Sequence, residues 1–197
     1  LGTITVDAMT SWIQFYKNIP IGIVAFILVA STSFAAEYQK GTLIPVVTKG
    51  LARWKILLAK ALTLFLVWTV AYWLCFFITY GYNEYFWGNG AVSHPMLAGA
   101  LTWFFGGWLI GVLVFLSAFL KSGTQVILGT GGVVLGVYVL SMIPKLGKVL
   151  PVRLMDGVSL LQGISAPGEY WAAATVAGGT AVLCILLGTA LFNRRRL

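Results

Sequence analysis

Apolar residues in this chain come in long runs, at about 19–36, 61–80, 96–120, 124–143 and 170–192, separated by short polar or Pro- and Gly-broken segments. Each run approaches or exceeds the ~20 residues that a helix needs to cross a bilayer core. The pattern predicts an all-α polytopic membrane protein with five transmembrane helices. The first 18 residues are mixed in character, with Trp12, Phe15 and Tyr16 beside Lys17. Amphipathic rings of this kind settle at headgroup depth, so the segment reads as an interfacial anchor, with a substrate gate as the alternative. The first span then begins near Ile19, with Pro20 in a first turn where its missing N–H costs nothing.

The connections differ from one another. Residues 37–60 hold Lys40, Lys49, Arg53, Lys55 and Lys60 against the one acid Glu37. Residues 81–95 carry Tyr82, Tyr85, Phe86 and Trp87 but no Lys or Arg, the composition of an aromatic belt on the opposite side. Lys121, Ser122 and Gly123 leave room only for a tight hairpin between the third and fourth spans. Pro144, Pro151 and Pro167 break the segment 144–168. Within it Leu154, Met155, Val158 and Leu161 oppose Arg153 and Asp156, which predicts a short amphipathic helix at, or dipping into, the outer interface. Gly107 with Gly111, and Gly132 with Gly136, are GxxxG pairs that allow close helix packing.

Charge fixes an expected orientation. Of thirteen Lys and Arg residues, nine fall on the side of the 37–60 loop, the 121 turn and the C-terminal Arg194, Arg195 and Arg196. Cations collect on the cytoplasmic side of membrane proteins, so that side and the C-terminus are expected in the cytoplasm of a cell membrane. Lys17, Lys145, Lys148 and Arg153 run against the bias. Five spans start outside and end inside, and one further span upstream of Leu1 is expected to bring the full protein to six.

Composition narrows the chemistry. The chain is 59% hydrophobic and 9% charged, with a mean hydropathy of +0.93, whereas soluble domains carry about 25% charged residues. The net charge of +8 is accounted for by loops between spans, so no nucleic acid partner is expected. Cys75 and Cys184 lie in apolar runs and imply neither a disulfide framework nor zinc. His94, beside Pro95, is the only histidine. No GxxxxGK[ST] phosphate loop occurs, no catalytic residue or resident cofactor is expected, and no charge falls near the middle of a predicted span. Such charges mark ion and proton paths. Thr63, Thr69, Thr102, Thr130, Thr175 and Thr180, with Trp68, Trp73, Trp103 and Trp108, are the polar and aromatic groups within the spans, and none is assigned to cargo.

The 37–60 loop carries a resemblance. Glu37, Gly41-Thr42-Leu43, Val47-Thr48, Arg53-Trp54, Leu57-Leu58 and Lys60 follow the order of the first intracellular loop of ABC-2 type permeases, the membrane subunits of one class of ABC exporter. The resemblance implies the ABC-2 permease fold. It implies that Gly41, Thr42, Leu43, Ile44, Pro45, Val46, Val47 and Thr48 form a coupling helix docked on a separate ATPase subunit that binds ATP and Mg. It also implies a second permease copy, alike or pseudo-alike, and an amphipathic or hydrophobic cargo such as a peptide, antibiotic, drug or lipid. Glu37 pairing with Arg53 or Lys40 would stiffen the loop, an exposed pair contributing about 0–1 kcal/mol. The competing readings are an ordinary positive-inside loop in a membrane scaffold or channel-like subunit, and a secondary transporter.

Overall fold

The computed structural model describes residues 7–39, 53–120 and 122–194, with the helix path but not the side chains at 32–39, 53, 193 and 194. Among the described residues there is no strand. Five helices among the described residues are long and apolar enough to cross a membrane. They are α1 (Ala8–Gln39), α2 (Arg53–Phe86), α3 (Pro95–Phe119), α4 (Gly123–Ser141) and, after two short helices α5 (Pro144–Gly147) and α6 (Gly157–Leu161), α7 (Trp171–Arg194).

The first helix begins earlier than its hydropathy suggests. Ala8, Trp12, Tyr16, Ile19, Ile23, Ile27 and Ala30 are all buried, three or four residues apart, so one apolar stripe runs unbroken from the first turn to Ala30. Asp7 caps it, its Oδ1 accepting the Thr10 N–H at 2.7 Å. Pro20 is therefore interior and not in a first turn. It sits on the exposed side, and its lost hydrogen bond does not interrupt the buried stripe. Lys17, expected in an interfacial segment, lies on the exposed surface of this long helix instead.

Likewise α2 passes through the expected loop as far as Phe86, 34 residues in all. At roughly 1.5 Å per residue it is about 51 Å long, against a hydrocarbon core of about 30 Å. Buried Leu57, Ala61, Leu64, Trp68, Tyr72 and Phe76 form its inward stripe. Leu62, Leu66, Val70, Leu74 and Ile78 face outward, as lipid-exposed positions do. The rest of the expected aromatic loop is a short 3₁₀ turn, Asn89–Ala91, and a bend at His94, whose φ of 49° lies in the left-handed region just before Pro95 starts α3.

The bundle is organised around α3. The most apolar window of α3 is 72% buried, against 17–28% for the windows of the other four spans. Around it α7, α2, α1 and α4 form an arc of neighbours. Helices α1 and α2 are antiparallel, with Trp12 meeting Phe76 at 5.1 Å between ring centroids and Phe26 meeting Trp68 at 5.3 Å. Small residues set the tightest contacts. Gly99 lies beneath the Phe76 ring and Gly106 beneath the Trp68 indole. A Cβ on Gly111 would stand 3.1 Å from the Ala181 backbone, and one on Gly188 3.2 Å from the Phe115 Cα. Since α3 and α7 run parallel, Ala173, Ala177, Ala181 and Gly188 give α7 a narrow face along which the two helices approach closely. Of the two GxxxG pairs, Gly107 with Gly111 packs within the chain, while Gly132 and Gly136 face open space.

Segment 144–170 closes one end of the bundle. The amphipathic helix expected there is broken into a 3₁₀ turn, Pro151–Met155, and the five-residue α6. Leu154, Leu160 and Leu161 are buried in the bundle, and Val158 and Met155 pack against its core. The segment reaches down to the level of Thr102, whose hydroxyl donates to the Leu154 carbonyl at 3.2 Å. Thr102 is two helical turns inside α3, about 10 Å below its start, so the segment dips into the bundle and does not lie over it. Arg153 anchors it, donating to Asp156 at 3.0 Å, Ser165 at 3.0 Å and Glu169 at 3.1 Å, with the guanidinium 5.0 Å from the Tyr170 ring centre. The ion pairs account for one of the cations that ran against the charge bias. Asp7, Glu84, Asp156 and Glu169 belong to this capped end, with Lys17, Lys145, Lys148 and Arg153. Four acids thus offset four cations there, so the net charge of +8 comes from Glu37 and the other nine Lys and Arg residues of the sequence.

Candidate binding groove

The polar residues of α1 that hydropathy alone would assign to a headgroup layer share one face. Thr10, Gln14 and Asn18 are spaced by four, and Ser11 flanks them, so they stack along the helix opposite the buried Trp12 and Tyr16 stripe. That face borders a groove of about 730 Å³ between α1 and α2, within the roughly 300–1,000 Å³ range of small-molecule sites. The other wall is aromatic and apolar, made by Trp68, Ala71, Tyr72, Cys75, Thr79, Tyr82 and Trp87 of α2 and the chain just beyond it.

Hydrogen bonds to α3 hold the aromatic wall. The Tyr72 hydroxyl donates to the Gly99 carbonyl at 2.9 Å, and the Trp68 indole N–H to the Trp103 carbonyl at 3.0 Å. Their rings stack on each other at 5.4 Å with 27° between planes. Both polar ends point into the bundle, and each residue, 6% exposed, presents only a small part of its surface to the groove. At the mouth, the Trp12 N–H donates to Asn89 Oδ1 at 3.1 Å. Asn89 in turn donates its Nδ2 to Glu84 at 2.8 Å and to the Tyr80 carbonyl at 3.1 Å. Beside this bracket Tyr82 meets Phe86 at 4.6 Å and Trp87 at 5.6 Å.

Polarity changes along the groove. Its polar lining residues, Thr10, Ser11, Gln14, Asn18 and Thr79, all lie toward the capped end, interspersed with Phe15, Tyr82 and Trp87; at depth it is lined by Ile19, Gly22, Trp68 and Ala71. No acidic or basic side chain is among the lining residues. Among the described residues no group of three His, Cys, Asp or Glu side chains could hold a metal ion. Near the mouth, the carboxyl of Asp7 is held below its usual value of 3.8 chiefly by the Thr10 backbone N–H.

No protein family, curated protein or solved structure matches the chain.

Gly41 to Thr48, the expected coupling helix, lie outside the described residues, as do the side chains of Glu37 and Arg53. What is described is the pair of helix ends that hold that segment, Gln39 of α1 and Arg53 of α2, both at the end opposite the cap. The Thr and Trp residues within the spans mostly bond to other helices or to their own. Trp103 Nε1 donates to Thr69 Oγ1 at 3.0 Å, joining α3 to α2, and Trp108 Nε1 donates to Thr180 Oγ1 at 3.0 Å, joining α3 to α7. Thr63 and Thr175 donate to their own helices, and Thr130 is buried without a partner. Interhelical bonds of this type contribute roughly 0.6–2 kcal/mol each in a bilayer. Only Trp68 of these ten residues lines the groove. The groove's polar wall was missed because its residues precede the hydropathy-defined span; the signal that finds it is the i, i+4, i+8 spacing of Thr10, Gln14 and Asn18.

Proposed function

We propose that this chain is the permease subunit of an ATP-driven exporter of ABC-2 type, with the ABC-2 permease fold, acting in the cell membrane with its C-terminus in the cytoplasm. A separate ATPase subunit binds ATP and Mg, docks on Gly41–Thr48, and drives a dimer of permease chains. The cargo is amphipathic or hydrophobic. The observation that carries this reading is the order of residues from Glu37 to Lys60, which resembles that of the first intracellular loop of that family. Two further features support it. The segment joins α1 to α2 at the end of the bundle opposite the charge-balanced cap, and residues 37–60 carry five cations against one acid, the balance expected of a cytoplasmic loop. The same two helices wall the groove, so a push on the loop acts directly on the helices that would hold cargo.

Co-purification tests the reading. The chain, expressed with its natural neighbours, is expected to bring down a soluble protein with Walker motifs, and Leu43→Asp or Val47→Asp is expected to release it while the permease remains in the membrane. Retention of the ATPase by both variants overturns the docking assignment.

A further inference from the structure

The α1–α2 groove has the dimensions of a small-molecule site, and its chemistry is graded along its length. From Thr10 to Gly22 it spans about 18 Å of helix at roughly 1.5 Å per residue. Its capped-end half offers a carboxamide on Gln14 and another on Asn18, with the hydroxyls of Thr10 and Ser11 beside them. These groups both donate and accept hydrogen bonds and carry no charge. Its deep half offers exposed Ala71 and Gly22, backed by the Trp68 and Tyr72 rings, each residue 6% exposed and fixed in place by its bond to α3. Gly22 lies at that deep end, and a Cβ added there meets nothing within 4 Å.

From this gradient we propose that the groove binds a single-chain amphiphile with an uncharged hydrogen-bonding headgroup. The headgroup lies against Gln14 and Asn18, and the alkyl chain lies over Ala71 toward Gly22, with Trp68 and Tyr72 behind it. A charged headgroup finds no counter-ion in the lining and gives up its hydration without replacement. An uncharged polyol exchanges water for amide and hydroxyl partners at little net cost. The proposal rests on the export reading only for the direction of movement; binding itself needs neither nucleotide nor an ATPase.

Cys75 lines the groove and is exposed, which makes it a built-in reporter. In a Cys184→Ser background, with Cys75 the only thiol, the chain is reconstituted in nanodiscs without nucleotide and alkylated with N-ethylmaleimide. Decyl maltoside, decyltrimethylammonium and decyl sulfate are compared below their micellar concentrations. Decyl maltoside is expected to slow alkylation about tenfold, as ~90% occupancy requires, and the two charged probes to leave the rate unchanged. Gly22→Phe, and separately Gly22→Leu, fill the deep end and are expected to abolish that protection, read as the ratio with and without probe for each variant. Equal protection by all three probes, or full protection retained in both Gly22 variants, overturns the proposal. Because the assay contains no ATPase, protection by decyl maltoside combined with failure of the Leu43→Asp co-purification test removes the export reading and leaves the site. The converse pair of results removes the site and leaves the export reading.

Discussion

The indole of Trp12 and the carboxamide of Asn89, 77 residues apart in the chain, meet through a buried hydrogen bond of 3.1 Å that ties the start of α1 to the connection after α2. Trp12 is fully buried, so its N–H has no access to water if the partner is lost. Asn89→Leu strands that donor and also removes the two bonds to Glu84 and Tyr80. The expected cost is about 1–3 kcal/mol, read as a lowered melting temperature in detergent. Trp12→Phe deletes the donor along with the bond and leaves Asn89 its other partners, so the hydrogen-bond part of its cost is expected to be the smaller one. A double-mutant cycle gives the coupling; a coupling indistinguishable from zero shows that the bond does not stabilise the capped end.

Glycines divide into two groups by what surrounds them. At Gly106 a Cβ falls within the Trp68 indole, which is itself fixed to the Trp103 carbonyl, and at Gly111 it meets the Ala181 backbone. Gly106→Ala and Gly111→Ala are expected to destabilise by about 1–3 kcal/mol through overpacking. At Gly132 nothing lies within 4 Å of a Cβ. There Ala is expected to be neutral or to stabilise by up to about 1 kcal/mol, from helix propensity alone. Thermal unfolding of the three variants in one detergent checks the ranking, and a destabilising Gly132→Ala would reveal a contact outside the chain.

Asp7 gives the start of α1 a pH dependence whose sign follows from its cause. The Thr10 N–H, 2.7 Å from its carboxylate, favours the charged form and holds the pKa below 3.8. A depressed folded-state pKa means that the capping contribution is fully present above the ordinary carboxylate value and is lost as pH falls through the lowered one. Titration of the Asp7 carboxyl by NMR is expected to give a midpoint below 3.8. Asp7→Asn, which keeps an acceptor, is expected to hold the Thr10 amide protected from exchange at acid pH, where Asp7 itself releases it.

The number and order of the spans were legible because runs of apolar residues depend only on composition over a window. Where the helices begin and end was less so. Hydropathy weighs all residues in a window equally, and in α1 the polar Thr10, Gln14, Lys17 and Asn18 outweigh Ala8, Trp12 and Tyr16, although the two sets occupy different faces. The same averaging hid the groove, which exists because one face of that stretch is polar. In α2 the aromatic belt resembled a loop because Tyr82, Tyr85 and Phe86 are interfacial residues whether or not they are helical. The Ala173, Ala177, Ala181 and Gly188 face of α7 carries no mark distinguishing it from an ordinary apolar helix until its neighbour is known. The Trp–Thr bonds between helices depend on rotation about each helix axis, which no linear pattern specifies.

Because α2 contains no proline and runs as one helix from Arg53 to Phe86, it behaves as a stiff rod. Pivoted near one end, a rod of about 51 Å moves its other end by about 0.9 Å for each degree of tilt. A tilt of a few degrees imposed at Arg53 therefore shifts Tyr82 by more than the width of a hydrogen bond's tolerance. Such a displacement strains the bonds that hold Trp68 and Tyr72 to α3, so the groove widens or narrows only as those contacts yield, with no need for any bend in α2 itself.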